Sequence, residues 1–331
     1  FMHNKKFDSA YYYAKKYLNT SNNYSHELLT QISYDELIAE IEFHKGDYSK
    51  AAELLEKIRK NEEHVLLLDS GDIFQGTPYF NYFGGELEFK LMSQMRYDAS
   101  TIGNHDFDAG MDGLLKQLPH ANFPFLIGNY DFSDTPLHNQ FKPYKIFQKE
   151  NIRIGVFGLG IELNGLVPGK LYGKTQYQNP LKMASKYATI LKKDEKCDYV
   201  ICLSHLGYKY SSNRISDQVL AKESENIDLI LGGHTHTFMD KPEEVENKKG
   251  EKVFINQVGF GGIVLGRLDI YFEKNFKNKL INITSVSEQE VAKVKFENNA
   301  LKYNLDDLFN NHASFYEPIP LYNHMHDCAP P

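Results

Sequence analysis

Four short segments of the sequence combine the side chains that hold divalent metal ions in proteins. They read Asp69-Ser70-Gly71-Asp72, Gly103-Asn104-His105-Asp106-Phe107-Asp108, Ser204-His205-Leu206-Gly207 and Gly232-Gly233-His234-Thr235-His236. Carboxylate, amide and imidazole groups together suit a borderline divalent ion such as Zn, Mn, Fe or Co. No cysteine belongs to these segments, which argues against a structural zinc site. The pattern therefore indicates a functional metal site.

Strands that end in loops must position these side chains. Short apolar runs alternate with helical stretches and cover residues 64–68, 152–157, 199–203 and 227–231. This alternation is typical of an α/β domain whose functional loops lie at the carboxyl ends of strands. Two later runs, at residues 252–258 and 263–272, have no long helix between them. They predict that part of the domain is antiparallel.

Each of the four segments also has an ordinary structural explanation. An Asp that follows a strand can cap a helix, and Asn-His can form a turn. A single His near a strand end is usually a polar side chain whose hydrogen bonds are satisfied. Four such segments in series, each after an apolar run, favour a shared functional crevice over four separate structural roles.

The four segments resemble the ordered motifs of the calcineurin-like metallophosphoesterases. The stretch Gly71-Asp72-Ile73-Phe74-Gln75-Gly76-Thr77-Pro78 and residues 103–108 are most similar to the catalytic, N-terminal domain of the 5′-nucleotidase branch. The resemblance covers about residues 62–272. It implies an α/β fold, the four-layer αββα metallophosphoesterase sandwich, with a dinuclear metal centre between two sheets.

The resemblance implies a set of metal ligands. Asp72 corresponds to the carboxylate that bridges two ions, and Asn104, His205 and His234 correspond to the other ligands of one ion. His236 corresponds to a ligand of the second ion. In this chemistry, two ions about 3.5–4 Å apart bind phosphoryl oxygens and acidify a water for in-line attack. The attacking species would be metal-bound hydroxide.

The resemblance also implies two catalytic residues. His105 corresponds to the histidine that stabilises the transferring phosphoryl group, and Asp108 corresponds to the residue that orients this histidine. A cationic imidazole offsets the negative charge that develops on the phosphoryl oxygens or the leaving group.

The sequence departs from the family at its first motif. The family supplies two further ligands from an Asp-x-His motif, and no Asp-x-His precedes Asp72. One ion therefore keeps four protein ligands, whereas the second has only Asp72 and His236. We expect the second ion to bind weakly. The segment Asn323-His324-Met325-His326 resembles a relocated version of the missing motif, and an ordinary His-rich tail is the alternative.

The sequence after the predicted catalytic domain is also shorter than in two-domain 5′-nucleotidases. These enzymes hold the nucleoside base in a large C-terminal domain, and the residues after Glu273 are too few for such a domain. Either a separate chain supplies substrate recognition, or the substrate is a small phosphomonoester.

Three regions of the chain differ in composition and in their pattern of apolar residues. Residues 1–62 predict a helical extension, in which residues 34–60 resemble one tetratricopeptide-like hairpin. Helices that simply pack on the neighbouring domain are the alternative. Residues 63–285 form the predicted metallophosphoesterase domain, and residues 286–331 form a partly irregular tail.

Composition narrows the possible partners. The chain has 331 residues, 37 Lys+Arg against 44 Asp+Glu, and a net charge of -7. Its acidity disfavours duplex nucleic acid and anionic membrane surfaces, and no run is long and apolar enough for a transmembrane helix. Three cysteines form no disulfide framework. The chain opens at Phe1 without the features of a signal peptide, and the resemblance favours a periplasmic or cell-surface protein.

Two functional hypotheses follow. The first is metal-dependent hydrolysis of phosphate esters, with nucleotide phosphomonoesters as substrates and a role in nucleotide catabolism. The second is a catalytically impaired protein that keeps the phosphatase fold as a binding or scaffold module, because the second metal site is incomplete. A phosphodiesterase or a sugar-nucleotide hydrolase would use the same metals, and only a substrate panel distinguishes these.

Overall fold

The computed structural model of this chain describes residues 55–75, 78–262, 265–272 and 283–285. Residues 55–61 are helical, and Leu55 is buried. The rest of the predicted tetratricopeptide-like hairpin lies outside the described residues. The same is true of the predicted tail, which contains His324 and His326.

A six-stranded sheet carries the third and fourth of the motif segments. The strands of the described part are β1 (Tyr130–Asp131), β2 (Tyr144–Lys149), β3 (Ile152–Leu159), β4 (Gln176–Tyr177), β5 (Tyr199–Ser204), β6 (Leu229–Gly232), β7 (Glu243–Glu246), β8 (Lys252–Asn256), β9 (Leu268–Ile270) and β10 (Ile283–Ser285). The sheet has the order β2-β3-β5-β6-β8-β7. Its four inner strands are parallel, and both edge strands are antiparallel. The predicted antiparallel part is confirmed in β7–β8 and in the separate pair β9–β10.

Helices cover the strands on both sides. They are α1 (Pro78–Phe83), α2 (Glu86–Gln94), α3 (Gly110–Gln117), α4 (Gly169–Tyr172), α5 (Pro180–Thr189) and α6 (Asp217–Glu223). The α5 helix begins after Asn179, whose Oδ1 accepts a hydrogen bond from the Lys182 N–H at 3.1 Å, as an N-cap residue does. Among the described residues, no helix has the length and apolar character that crossing a bilayer requires.

A second extended layer packs against the sheet and carries the other two motif segments. Parallel bridges join Leu68 to Ala99, Ser100 to Phe125, and Leu126 to Lys142. The backbone around these bridges is hydrogen-bonded, as in the bond from the Leu126 N–H to the Ser100 oxygen at 2.8 Å. Of the predicted strand at residues 64–68, the structure has only the isolated bridge at Leu68, which belongs to this layer.

Side-chain alternation along the strands separates three apolar cores. On β5, Val200 and Cys202 pack with α5 and α6, whereas Ile201 and Leu203 pack with Leu126 of the second layer. Successive strand residues point to opposite faces, so β5 is buried on both. This explains why its sequence is continuously apolar rather than alternating.

The second layer also has two buried faces. Leu126 faces the sheet, and its neighbours Phe125 and Ile127 face an aromatic core that includes Phe89 of α2 and Phe107. Burying an aromatic side chain of this size contributes about 1.5–3 kcal/mol. The order of layers is therefore helices, sheet, extended layer, helices, which confirms the predicted αββα architecture.

Candidate metal centre

The four motif segments meet at one edge of the two layers. Asp72 and Asn104 follow neighbouring segments of the extended layer. His205 directly follows β5, and His234 lies two residues after β6. The carboxyl ends of neighbouring parallel strands lie at the same edge, so these side chains are brought together from distant parts of the sequence.

Short distances connect the four residues that were predicted to bind one ion. Ligand atoms of Asp72, His205 and His234 all lie within 4.8 Å of one another. His205 Nε2 is 2.9 Å from Asp72 Oδ2, and His234 Nδ1 is 2.9 Å from Asn104 Oδ1. The structure therefore brings Asp72, Asn104, His205 and His234 into one cluster.

The state of His205 fits a divalent ion. Its Nδ1 lies 2.6 Å from the carbonyl oxygen of Ser70, and a carbonyl can only accept, so Nδ1 carries a proton. Nε2 then points towards Asp72, yet it is buried and makes no hydrogen bond in proper geometry within the described part of the chain. The imidazole nitrogen and the carboxylate oxygen lie 2.9 Å apart without a well-aligned hydrogen bond, and a divalent ion between such groups would be bound by both.

Asp72 and His205 stabilise each other's charged forms. Burial opposes both charges, but His205 holds the pKa of Asp72 well below its usual range. Asp72 in turn raises the pKa of His205 to about 9, although burial acts against it. A divalent ion would take the place of the proton on His205, because metal binding requires the neutral imidazole.

The loop after β6 holds its two histidines in a strained backbone. His234 has φ 68° and His236 has φ 51°, and Asp72, in the first loop, has φ 61°. This left-handed region is costly for residues other than glycine. Burial, together with the charge of His205, lowers the pKa of His234 to about 3, so His234 is in the neutral form that binds metals.

His236 stands apart from the four-residue cluster. In the described part of the chain it joins no group of three metal-binding side chains, and its ring packs on Phe260 with centroids 5.2 Å apart. Burial lowers its pKa, and the charge of Asp72 opposes this shift. His236 is therefore neutral, the form that binds metals, and close enough to Asp72 for that charge to affect its pKa.

The pair His105 and Asp108 has the geometry of an oriented catalytic imidazole. His105 Nδ1 is 2.8 Å from Asp108 Oδ2, and the His105 backbone N–H donates to Asp72 Oδ1 at 2.7 Å. The hydrogen bond with Asp108 raises the pKa of His105. The side chain of His105 is 37% exposed, so part of the ring faces solvent while Nδ1 is held by Asp108.

Asp106 has a structural role that sequence reasoning missed. Its carboxylate accepts hydrogen bonds from the backbone N–H groups of Asp72, Ile73, Phe74 and Gly103, at 3.0, 2.9, 3.3 and 2.8 Å. It thus ties the Asp72 loop to the Asn104 loop. Asp106 belongs to the second motif, so the sequence marks it as part of the site. Nothing in the motif indicates that its carboxylate accepts hydrogen bonds from four backbone N–H groups.

Replacing Asp106 by Ala is expected to lower the free energy of unfolding by about 3–5 kcal/mol, because buried N–H groups would lose their acceptor. Urea unfolding of the metal-free protein, followed by circular dichroism, measures this. Asp112→Ala is the matched control, since Asp112 is exposed on α3. Equal urea midpoints for the two variants would contradict the assigned role.

Gln257 was also missed, and it fixes the loop that carries both histidines. Its Nε2 donates to the Gly233 oxygen at 2.6 Å. Its Oε1 accepts from the Thr235 hydroxyl at 3.1 Å and from the Thr237 N–H. Gln257 is buried just beyond β8, where neither composition nor spacing marks it as part of a site.

Comparisons with known proteins agree with this geometry. Residues 26–238 match the family model for calcineurin-like phosphoesterases. The trifunctional nucleotide phosphoesterase protein YfkN of Bacillus subtilis (strain 168) is 29% identical over 312 residues, which cover 82% of this chain and 21% of that protein. A 5′-nucleotidase of Vibrio cholerae is 33% identical over 265 residues, which cover 72% of this chain and 47% of that protein.

A solved structure shows the same likeness. The 5′-nucleotidase precursor from Thermus thermophilus matches with a TM-score of 0.64 and 29% identity, covering 71% of this chain and 47% of that one. The chain thus spans less than half the length of each of these three relatives. The family match, however, covers more than half of this chain and includes every residue of the cluster. The chain therefore belongs to the calcineurin-like phosphoesterase family.

Proposed function

We propose that this chain hydrolyses phosphate monoesters, with nucleotides as substrates, in a reaction that depends on divalent metal ions. The observation that supports this most is the meeting of Asp72, His205 and His234, whose ligand atoms lie within 4.8 Å of one another. The names of the relatives, 5′-nucleotidase and nucleotide phosphoesterase, support the nucleotide class of substrate.

The residues of the centre divide between two ions in this proposal. Asp72, Asn104, His205 and His234 would hold one ion, and Asp72 with His236 would contribute to the second. When bound, such ions supply Lewis-acid stabilisation of phosphoryl oxygens and acidify water. The hydrogen bond from His205 to Ser70 keeps the imidazole in the tautomer that presents Nε2 to the centre.

His105 would act on the substrate directly. Its Nδ1–H is held by Asp108, so the other nitrogen of the protonated ring can donate to a phosphoryl or leaving-group oxygen. The hydrogen bond from its backbone N–H to Asp72 places the His105 backbone beside the proposed metal-binding carboxylate. His105 would thus donate its proton close to the phosphoryl and leaving-group oxygens, where negative charge develops.

Replacing Asp108 by Asn is expected to move the basic limb of the pH–activity profile to lower pH. The hydrogen bond to the Asp108 carboxylate is the largest contribution that raises the pKa of His105. Asn keeps an accepting oxygen but removes the negative charge, so the bond weakens, the pKa falls and the protonated form disappears at lower pH. A kcat–pH profile with an aryl phosphate measures the shift. An unchanged basic limb would show that His105 protonation does not limit turnover.

Metal stoichiometry, measured together with turnover of 4-nitrophenyl phosphate, tests the proposed function. The full chain, loaded in turn with Zn, Mn, Co or Fe, is expected to bind metal and release phosphate. At most one ion with no turnover of the aryl phosphate or of any nucleotide would favour the scaffold hypothesis. Phosphodiesters and sugar nucleotides in the same panel would identify a different ester class.

A further inference from the structure

Asp217 is a buried acidic residue that is not one of the proposed metal ligands. It is the first residue of α6, and its exposed fraction is 0%. One carboxyl oxygen, Oδ1, accepts a hydrogen bond from the hydroxyl of Ser204, the last residue of β5. The other oxygen, Oδ2, is buried and has no hydrogen-bond partner anywhere in the ranges that the structure describes. Burying an acidic group in this way is costly, so its presence needs a reason.

The hydrogen bonds of Asp217 enclose the segment that carries His205. Ser204 precedes His205, and its Oγ also accepts a hydrogen bond from the Leu206 N–H at 3.3 Å. The backbone N–H of Asp217 donates to the Gly207 oxygen at 2.8 Å. Asp217 is therefore bound to the chain on both sides of His205, through its side chain before the histidine and through its backbone after it.

The unpartnered oxygen of Asp217 lies against the end of β6. A Cβ atom on Gly232, the last residue of that strand, would lie 2.2 Å from Asp217 Oδ2 and 3.0 Å from Gln257 Nε2. Gly232 has no positive φ, so lack of space, and not backbone conformation, requires glycine there. Gly232 is also the partner of Ser204 in the pairing of the two parallel strands. Asp217 thus contacts both members of the last residue pair between β5 and β6.

The placement of two proposed metal ligands depends on these strand ends. His205 comes directly after Ser204, and His234 comes two residues after Gly232. The ring centroids of the two histidines are 5.3 Å apart, with an angle of 68° between the ring planes. Distances from a metal ion to its ligands are fixed to within about 0.2 Å, so a small shift of either strand end changes how well both rings reach one ion.

We propose that Asp217 is a positioning residue that fixes the separation of His205 and His234 in the metal centre. This rests on the proposed function, in that it takes both histidines as ligands of one ion. Asp217 acts through Ser204 and Gly232, which connect it to the two histidines. Burial raises the pKa of Asp217 to about 8, which agrees with a largely neutral carboxyl group at pH 7. Its packing and its hydrogen bond to Ser204, and not a negative charge, then hold the two strand ends.

Titration of the metal-free full chain with Co²⁺, followed by visible absorption, tests this assignment. We expect Asp217→Ala to weaken Co²⁺ binding about 10- to 100-fold and to change the d–d bands, because both histidines lose their support. Asp217→Asn keeps the shape of the side chain and an oxygen that accepts from Ser204. It should therefore bind Co²⁺ nearly as tightly as the wild type, with the same spectrum.

Ser224→Ala is the matched control. The Ser224 hydroxyl donates to the Ala221 oxygen at 2.9 Å, in a buried position at the other end of α6. This variant removes a buried polar contact from the same helix without touching β5 or β6 at their carboxyl ends. It should leave the affinity and the spectrum of Co²⁺ unchanged, whatever its effect on the free energy of unfolding.

Gly232→Ala tests the contact with β6 and does not depend on the folding of Asp217→Ala. The new methyl group meets Asp217 Oδ2, so Co²⁺ binding should weaken. In a chain that also carries Asp217→Ala, the methyl group has more room, and the same glycine substitution should cost less. This coupling between the two positions is what a double-mutant cycle measures.

Three results would overturn the assignment. Wild-type affinity and spectrum in Asp217→Ala, or in Gly232→Ala, would show that the centre does not depend on this contact. Equal losses in Asp217→Asn and Asp217→Ala would show that the charge matters and not the packing. Independent effects in the cycle would show that the carboxyl group does not act through β6.

The proposed function and the role of Asp217 fail separately. A wild-type chain that binds Co²⁺ and hydrolyses no phosphate ester contradicts the proposed function, while the effects of the Asp217 variants on Co²⁺ binding still support its role. A chain that hydrolyses these esters, and whose Asp217→Ala variant keeps the wild-type Co²⁺ affinity and spectrum, contradicts only the role of Asp217. A wild-type chain that binds no divalent ion contradicts both.

Discussion

Replacing Asp72 by Asn is expected to remove most of the bound metal and to lower kcat/KM by about 10³-fold or more, because in the proposed centre both ions would share this carboxylate. Asn keeps the size of the side chain and one accepting oxygen, so it can still accept the hydrogen bond from the His105 N–H. It lacks the negative charge that stands 2.9 Å from His205 Nε2. The variant therefore separates the electrostatic role of Asp72 from its packing.

Elemental analysis of the purified variant, beside turnover of an aryl phosphate, measures this effect. Asp134→Asn is the matched control, since it removes the same charge from an exposed position. An Asp72→Asn protein that keeps its metal would contradict the bridging role. Circular dichroism of both variants shows whether the fold is retained.

Replacing His105 by Ala is expected to lower kcat about 10²- to 10⁴-fold while the metal content stays the same. The imidazole contacts Asp108, and the structure gives it no place in the cluster of Asp72, His205 and His234. Its backbone N–H, which supports Asp72, is present in the variant. The loss should therefore appear in the chemical step and not in ion binding.

Metal content and steady-state kinetics, compared with His138→Ala, measure the effect. His138 is exposed and provides a control for the loss of an imidazole. Parallel loss of metal and turnover in His105→Ala would assign His105 to the metal site instead of to the substrate.

Much of the fold could be predicted from the sequence because its strands are buried on both faces. Residues 199–203 are continuously apolar and residues 152–157 are apolar except for Arg153, and the structure places both runs on inner strands of the six-stranded sheet. Loops with Asp, Asn and His after such strands must lie at one edge of a layer. This is why the meeting of Asp72, Asn104, His205 and His234 could be expected before any coordinates.

The residues that hold these loops could not be predicted in the same way. Asp106 and Gln257 act by hydrogen bonding to backbone groups. Nearly every residue carries the same backbone N–H and carbonyl, so the sequence does not indicate which of them a side chain will bind. Gln257 is also far in sequence from the loop that it fixes. Three points stay predictions: the roles of His324 and His326, the binding of a second ion, and the cellular compartment of the protein.

The left-handed backbone at Asp72, His234 and His236 has a consequence for protein engineering. Each such residue carries a conformational cost of about 1–3 kcal/mol, and glycine at the same position would relieve most of it. A library screened only for heat resistance would therefore be enriched in glycine at His234 and His236, whereas glycine at Asp72 would also remove the ion-pair partner of buried His205. The survivors would melt at higher temperature and would have lost side chains that are proposed to bind metal.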